Sequence, residues 1–452
     1  MAKIFDSPLL PKDFCHLFQQ WVEETCPSAM HPMISWQSQQ FFSLMDSDLW
    51  KSLWDTPWNY EQGLQKFLQD CEPFIFSRPE GFVVGENLAC TPGSVIQRHP
   101  LYELIAYHPT RPRVRQRPLL IVPPWINKYY VLDLQRHNSL VSWLVRQGHS
   151  VFMLSWAHPG DKSMEHVGIE DYVQAITGAI SCLQRQGLGD KVNAAGYCLG
   201  GNVLSLCALR YPHLFSSCTY LSTAFHHQGL KNLSLWLQPP FFQGLRSWTQ
   251  PKGYMDGRWV ASAFQWLRSK DMVWKPGIRR YFQGKETPKI DFLYWNSDYV
   301  HIPQKAFFDV VTKFFQSSPL TSGQGLEIQG QWCHWRENTI DSFIVAAEHD
   351  HIVHWSSSYA GVEANESHTQ FVLCEGGHVA GIINPPEGKK YSYIPWSDKG
   401  KQTQRPGSWW TYWARWLAAR SGAWQGPKEL PCLGPAPGTY VKNPVENYSA
   451  TS

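Results

Sequence analysis

Between Pro118 and Leu221, short apolar runs alternate with longer stretches of helical period. Leu119–Val122 is one such run, closed by Pro123-Pro124 as a buried strand would be. Asn138 then stands as a cap before Leu140, Val141, Leu144 and Val145, which share one helical face, and Gly148 ends that helix. Residues 150–156 predict the next strand, residues 169–186 the next helix, and Gly187-Leu188-Gly189 its close. A strand over 192–195, a helix over 201–210 and a strand over 218–221 follow. Such alternation leaves few solutions. Parallel strands need helical crossovers, and those helices bury both faces of the sheet. The expected class is α/β.

Composition removes several other readings. The chain has 452 residues, with 40 Lys+Arg against 37 Asp+Glu, a formal charge of +3. There is no basic excess to displace counterions, so nucleic acid is not an expected partner. An apolar share of 43% beside 17% charged residues excludes disorder. The 23 Trp predict large buried or sticky apolar surfaces. The 11 cysteines are odd in number and form no CxxC pair, and no secretory leader opens the chain. That pattern predicts reduced thiols and a cytoplasmic location. No apolar run approaches the roughly 18 residues of a membrane span.

The first 80 or so residues read as helical: Leu49, Trp50, Leu53 and Trp54 share a face before Pro57 stops the run, and residues 60–71 give a second short helix. The alternation of strands and helices breaks off near Phe225, in a stretch rich in Trp, Phe, Pro and Gly, with a helix over 258–268. It resumes with strands over 343–347 and 370–373. An interruption of that size predicts a cap over an active site. The expected organisation is an N-terminal helical segment over 1–85, a catalytic domain over 86–446 with its cap at about 225–335, and a tail over 447–452.

The most informative segment is Gly196-Tyr197-Cys198-Leu199-Gly200-Gly201, which follows a predicted strand and precedes a predicted helix. This is the setting of a nucleophile elbow, with Cys where Ser is usual. A helix starting near Gly201 would favour a thiolate, and the Leu199 amide would donate to an oxyanion. The pentapeptide alone reads equally well as a buried Cys in a Gly-rich turn. The later strands separate the two readings. One strand runs into Asp350 and the next into Gly376-Gly377-His378, both at strand C-terminal ends. The chain order nucleophile, acid, histidine is that of an α/β-hydrolase fold. Cys198 is therefore the expected nucleophile, His378 the general base, and Asp350 the carboxylate that orients it. His349, His351 and His354 read as a solvated or cleft-lining group rather than a metal site, since no Cys partner lies near. Gly323-Gln324-Gly325 lacks the third glycine of a dinucleotide loop and reads as a turn. Trp409, Trp413 and Trp416 share a helical face that reads more as core than as a surface anchor.

Together these segments resemble the polyhydroxyalkanoate synthases. The resemblance runs from about Phe82 to Val445. It includes Val84-Gly85-Glu86-Asn87, Pro123-Pro124-Trp125-Ile126-Asn127-Lys128-Tyr129-Tyr130 and Leu132-Asp133-Leu134. It continues through the Cys198 segment, Met255-Asp256-Gly257-Arg258, Trp295-Asn296 with Asp298, and Asp350-His351-Ile352-Val353. Gly377-His378-Val379-Ala380-Gly381, Gly407-Ser408-Trp409-Trp410 and Ala436-Pro437-Gly438-Thr439-Tyr440-Val441 complete it. The sequence departs from the family pattern at Trp125, where many members carry Cys, and at Trp156-Ala157-His158-Pro159, where Trp-Arg-Asn-Pro is more usual. His354 replaces a Pro and Asn202 a Thr, and the N-terminal part is shorter than in single-subunit members, the type that the C-terminal ending favours.

The resemblance implies a Cys-Asp-His triad that polymerises (R)-3-hydroxyacyl-CoA into polyester with release of CoA, with no cofactor or metal. It implies Ile126 as the second oxyanion donor by position. The family's carboxylate at the Asp350 position is implicated in activating the substrate hydroxyl. Homodimerisation and contact with a storage-granule surface are the partners it suggests. A thioesterase or depolymerase-type hydrolase would use the same triad but admit water. A non-catalytic granule-binding relative would not need Cys198, Asp350 and His378 intact.

Overall fold

The computed structural model describes residues 79–226, 239–266, 279–280, 283–286, 288–315, 320–321, 323–365, 368–388, 390–397 and 400–443. The helices expected before residue 79 lie outside the described residues. The chain divides into two compact units. The first holds residues 1–71, 232–248 and 268–286; the second holds the remainder and carries everything described below, apart from most of one helix, Pro239–Thr249.

The centre of the second unit is a mixed sheet of eleven strands among the described residues. Nine of them are β1 (Gly93–His99), β2 (Tyr102–Tyr107), β3 (Leu119–Val122), β4 (Val151–Trp156), β5 (Val192–Tyr197), β6 (Phe215–Leu221), β7 (Ser342–Ala347), β8 (Thr369–Cys374) and β9 (Ser392–Ser397). Their spatial order is β1-β2-β4-β3-β5-β6-β7-β8-β9, with two short pieces at Gly400–Lys401 and Arg405–Pro406 against β9. Strands β3 to β8 pair in parallel, and β1, β2 and β9 pair antiparallel at the two flanks.

Crossovers take the helices the sequence predicts: α1 (Leu140–Arg146), α2 (Ile169–Arg185) and α3 (Leu199–Arg210) link β3 through β6. Between β6 and β7 stand α4 (Pro239–Thr249), α5 (Gly257–Trp266), α6 (Asp291–Ser297) and α7 (Gln304–Asp309), in place of one crossover. Helix α8 (Trp355–Ala364) joins β7 to β8, and α9 (Trp410–Ala418) follows the sheet. Strands β3, β4, β5 and β7 are buried at every position. That is why β3, β4 and β7 read as largely apolar runs instead of alternating ones.

Two boundaries differ from the sequence reading. Ser139, not Asn138, caps α1, its hydroxyl accepting from Ser142 N at 2.8 Å. Asn138 is occupied elsewhere: its side-chain oxygen accepts from Gln135 N, and its amide donates to Asp291. Helix α3 begins at Leu199, two residues ahead of Gly201, so Cys198 itself is the cap residue. The flanking strands β1, β2 and β9 are not readable from helix alternation, because they join without helices.

Helix α9 is nailed into the core by its indoles. Trp409, Trp410 and Trp413 are fully buried, while Trp416 is only half-buried, so Trp410 replaces it on the inward face. Trp413 Nε1 donates to Thr219 Oγ1 at 2.9 Å. Trp413→Ala removes a whole indole and orphans a buried hydroxyl, and should cost about 3–5 kcal/mol. Trp332→Ala, at a position 57% exposed, should stay within about 0.5 kcal/mol. Urea unfolding midpoints of the two variants check this contrast.

Candidate active site

Cys198 sits between the end of β5 and the first residue of α3, with φ 53° and ψ −124°. A non-glycine residue rarely holds that conformation. It persists because the turn is fixed on both sides. Cys198 N donates to Leu221 O at 2.9 Å, and Cys198 O accepts from Gly201 N at 2.9 Å and Asn202 N at 3.3 Å. Glycines make the close approach possible. A Cβ on Gly196 would lie 2.5 Å from Gly201 Cα. A Cβ on Gly200 would collide with the carbonyl of Val122 at the end of β3, and one on Gly201 with Thr223. The side chain thereby raised above the sheet is half-buried.

His378 and Asp350 come from the ends of β8 and β7. Their side chains meet at 2.7 Å, His378 Nδ1 to Asp350 Oδ2, and both are buried. The other Asp350 oxygen accepts from Ile352 N and Val353 N, each at 2.8 Å. Burial works to neutralise Asp350, but the facing His378 ring and the Val353 and Ile352 amides overcome it and hold the carboxyl below its ordinary 3.8. Burial likewise works against a charged His378, yet Asp350 first and Cys198 second lift it to about 10. The structure therefore joins His378 to Asp350 by a hydrogen bond, with Cys198 near enough to the ring to act on its charge.

The loop carrying His378 has supports that sequence reasoning missed. Tyr197 OH donates to His378 O at 3.2 Å, and its ring lies 5.4 Å from the imidazole. Cys374 Sγ contacts Ala346 O and Gly381 O, each at 3.3 Å. Trp409 Nε1 donates to Gly381 O at 2.9 Å and Trp410 Nε1 to Ile382 O at 2.8 Å. The only signal for these was the position of Tyr197 beside Cys198 and the density of Trp after Gly407.

Leu199 is the first residue of α3, where an amide has no helical acceptor. Ile126 lies in the loop that follows β3, and this loop is held from below. Lys128 Nζ and Asp298 Oδ1 form a buried pair at 2.9 Å, Tyr130 OH donates to Asp298 Oδ2 at 2.8 Å, and Trp295 Nε1 donates to Lys128 O at 2.7 Å. Trp125 is buried and stacked on Tyr172, ring centroids 4.4 Å apart. His349, His351 and His354 are exposed, and the His354 side chain accepts from Ser356 N as the cap of α8. Among the described residues no group of three or more His, Cys, Asp or Glu is placed to hold a metal ion, and no helix is long and apolar enough to cross a membrane. Gly323 and Gly325 have φ of 87° and 75°, as a turn requires.

Comparison with known proteins gives two family matches. Residues 35–144 match the poly-beta-hydroxybutyrate polymerase N-terminus, and residues 117–385 match the alpha/beta hydrolase fold. The poly(3-hydroxyalkanoate) polymerase 2 of Ectopseudomonas oleovorans is 36% identical over 80% of this chain and 67% of its own. The poly(3-hydroxyalkanoate) polymerase subunit of Cupriavidus necator is 32% identical over 84% of this chain and 69% of its own. Among solved structures, a monoacylglycerol lipase of Paleococcus ferrophilus overlays 68% of this chain and 98% of its own, at 16% identity and a TM-score of 0.41.

The two shifted groups make stability depend on pH in a defined way. His378 is raised in the folded chain, so its contribution is complete below the unfolded value near 6.5 and fades as pH climbs through about 10. Asp350 is lowered, so its contribution is present above 3.8 and is lost as acid protonates it below that. The urea midpoint of the chain minus that of His378→Gln should be flat from pH 5 to 6 and shrink steadily from pH 7 to 10. A difference that grows with pH would contradict the assignment of charge to His378.

Proposed function

The chain belongs to the poly(3-hydroxyalkanoate) polymerase family, and on that premise we propose that it polymerises (R)-3-hydroxyacyl-CoA thioesters through an acyl group carried on Cys198. The observation that carries this reading is the buried His378–Asp350 hydrogen bond together with Cys198 held at a positive φ, at the ends of three parallel strands. The nucleophile is a thiol, so attack on a CoA thioester exchanges one thioester for another and keeps the acyl group activated.

The steps follow from the groups present. Cys198 gives its thiol proton to His378 as its sulfur attacks the thioester carbonyl. The amides of Leu199 and Ile126 take the developing oxyanion. The bond to CoA sulfur breaks, and that sulfur leaves as the thiol with the proton from His378. In chain growth, His378 accepts the proton of a substrate 3-hydroxyl as that oxygen attacks an acyl thioester; the carbonyl–sulfur bond breaks, the sulfur leaves as the thiol with that proton, and the new ester is formed. The ester chain lengthens by one unit for each CoA released. Asp350 acts in this scheme through His378. Both of its oxygens already accept hydrogen bonds, one from the imidazole and one from two amides, and the residue is only 6% exposed. The burial of His378 and Asp350 also favours an acyl-enzyme over hydrolysis.

The test is to incubate the chain with (R)-3-hydroxybutyryl-CoA and compare the polyester formed with the CoA released. The expected result is insoluble polyester at one CoA per unit, with both lowered by ~10³-fold or more in Cys198→Ala. Free hydroxy acid with no polymer would overturn the reading in favour of a hydrolase on the same fold.

A further inference from the structure

Glu103 is an oddity of the sheet. It is the second residue of β2, its side chain has no exposure, and it is a carboxylate among apolar neighbours. Its four donors explain it. Arg98 Nε reaches Oε1 at 3.0 Å and Thr439 Oγ1 reaches it at 2.8 Å. Thr439 N and Tyr440 N reach Oε2 at 2.7 and 3.0 Å. Three of the four come from one segment near the C-terminal end of the described chain. Gly438, at φ 83°, allows that segment's backbone to close on the carboxylate, because any Cβ there would strike Oε2.

The segment is a strap over residues 433–443. It first covers the open edge of β1: Leu433 N donates to Val95 O and Val95 N to Gly434 O, each at 2.8 Å, and Ala436 N donates to Gly93 O at 2.9 Å. Glu103 then turns it. Tyr440 OH donates to His99 O at 3.0 Å, and Val441 enters the hydrophobic core at 2% exposure. The strap next arrives beneath the loop that carries Ile126. The carbonyl of Asn443 accepts from Lys128 Nζ at 3.4 Å and lies 3.3 Å from His158 Nε2. Lys128 is the same residue that pairs with Asp298 inside the fold. One small cavity is walled jointly by Trp125 and Lys128 from the loop and by Tyr440 and Val441 from the strap.

We propose that this strap positions the Ile126 loop for acyl transfer, and that Glu103 is the positioning residue that anchors it. Glu103 touches no reacting atom. It acts through Thr439, Tyr440 and Asn443 on Lys128, and so on the loop whose amide would meet the oxyanion. The catalytic half of this rests on the acyl-transfer reading above. The structural half does not.

The two halves separate experimentally because alkylation of a thiol passes through no oxyanion, whereas acyl transfer does. Glu103→Gln places an amide donor against the backbone donors of residues 439 and 440. Hydrogen exchange at the amides of residues 125–130 should then speed by about tenfold, with exchange in α3 unchanged. The kcat for CoA release from (R)-3-hydroxybutyryl-CoA should fall about tenfold or more at nearly constant KM. Alkylation of Cys198 by iodoacetamide should keep its rate and its pH profile. Where Glu103→Gln does not fold, Thr439→Ala removes the hydroxyl donor alone and should give the same pattern at about threefold. Unchanged exchange over 125–130 in a folded variant overturns the proposal, as does alkylation that falls in step with acyl transfer. A parent chain that releases no CoA defeats the acyl-transfer reading, while the exchange result still decides the strap.

Discussion

Everything at this site depends on how closely the turn after β5 approaches its neighbours. Cys198 is held at a positive φ because its own amide and carbonyl are committed, to Leu221 and to the first turn of α3. That commitment is possible only where the turn can press against β3 and against Thr223 without side chains in between, and Gly196, Gly200 and Gly201 leave that space. The same closeness places the first amides of α3 next to the residues that follow β3. The strained turn, the raised Cys198 side chain and the nearness of the first α3 amides to the residues after β3 are thus one geometric fact.

Electrostatics then gives the turn its chemistry. A buried carboxyl would ordinarily be pushed toward neutrality and a buried imidazole likewise. Here each is the other's remedy. Asp350 stays ionised because the His378 ring and two amides face it, and His378 stays charged because Asp350 and Cys198 face it. Removing any one member leaves a buried group without compensation, which ties the stability of the loop after β8 to its chemistry.

The central architecture was legible in the sequence because buried parallel strands are apolar throughout and their crossovers are helical. Strands at 119–122, 151–156 and 343–347 announce themselves in that way. The placement of Cys198, Asp350 and His378 was legible for a related reason: each follows a strand end, and their order along the chain fits the fold. Strand β5 was read short because its second half is Ala195-Gly196-Tyr197, and its buried Asn193 bonds with Ser217 and Ser421, which no local pattern shows. The flanking strands and the supports of the site were not legible. Lys128 meets Asp298 across 170 residues of sequence, and Glu103 meets Thr439 across 336. Both carboxylates look like ordinary polar positions until the partner is seen, since periodicity reports only which face is apolar.

The heavy use of tryptophan finds its explanation in the same terms. An indole fills a large volume and carries one donor, so it can pack a core and satisfy a carbonyl at once. Trp409 and Trp410 bond to Gly381 and Ile382 in the loop after His378, Trp156 bonds to Pro123 in the loop before Ile126, and Trp295 bonds to Lys128 within that loop's continuation. These loops leave the sheet at strand ends, where regular ladder partners run out and carbonyls need donors from elsewhere. A water could serve any of them singly. An indole serves them while filling the space beside them, so a residue type that the sequence offered as buried or sticky surface is what fixes these loops.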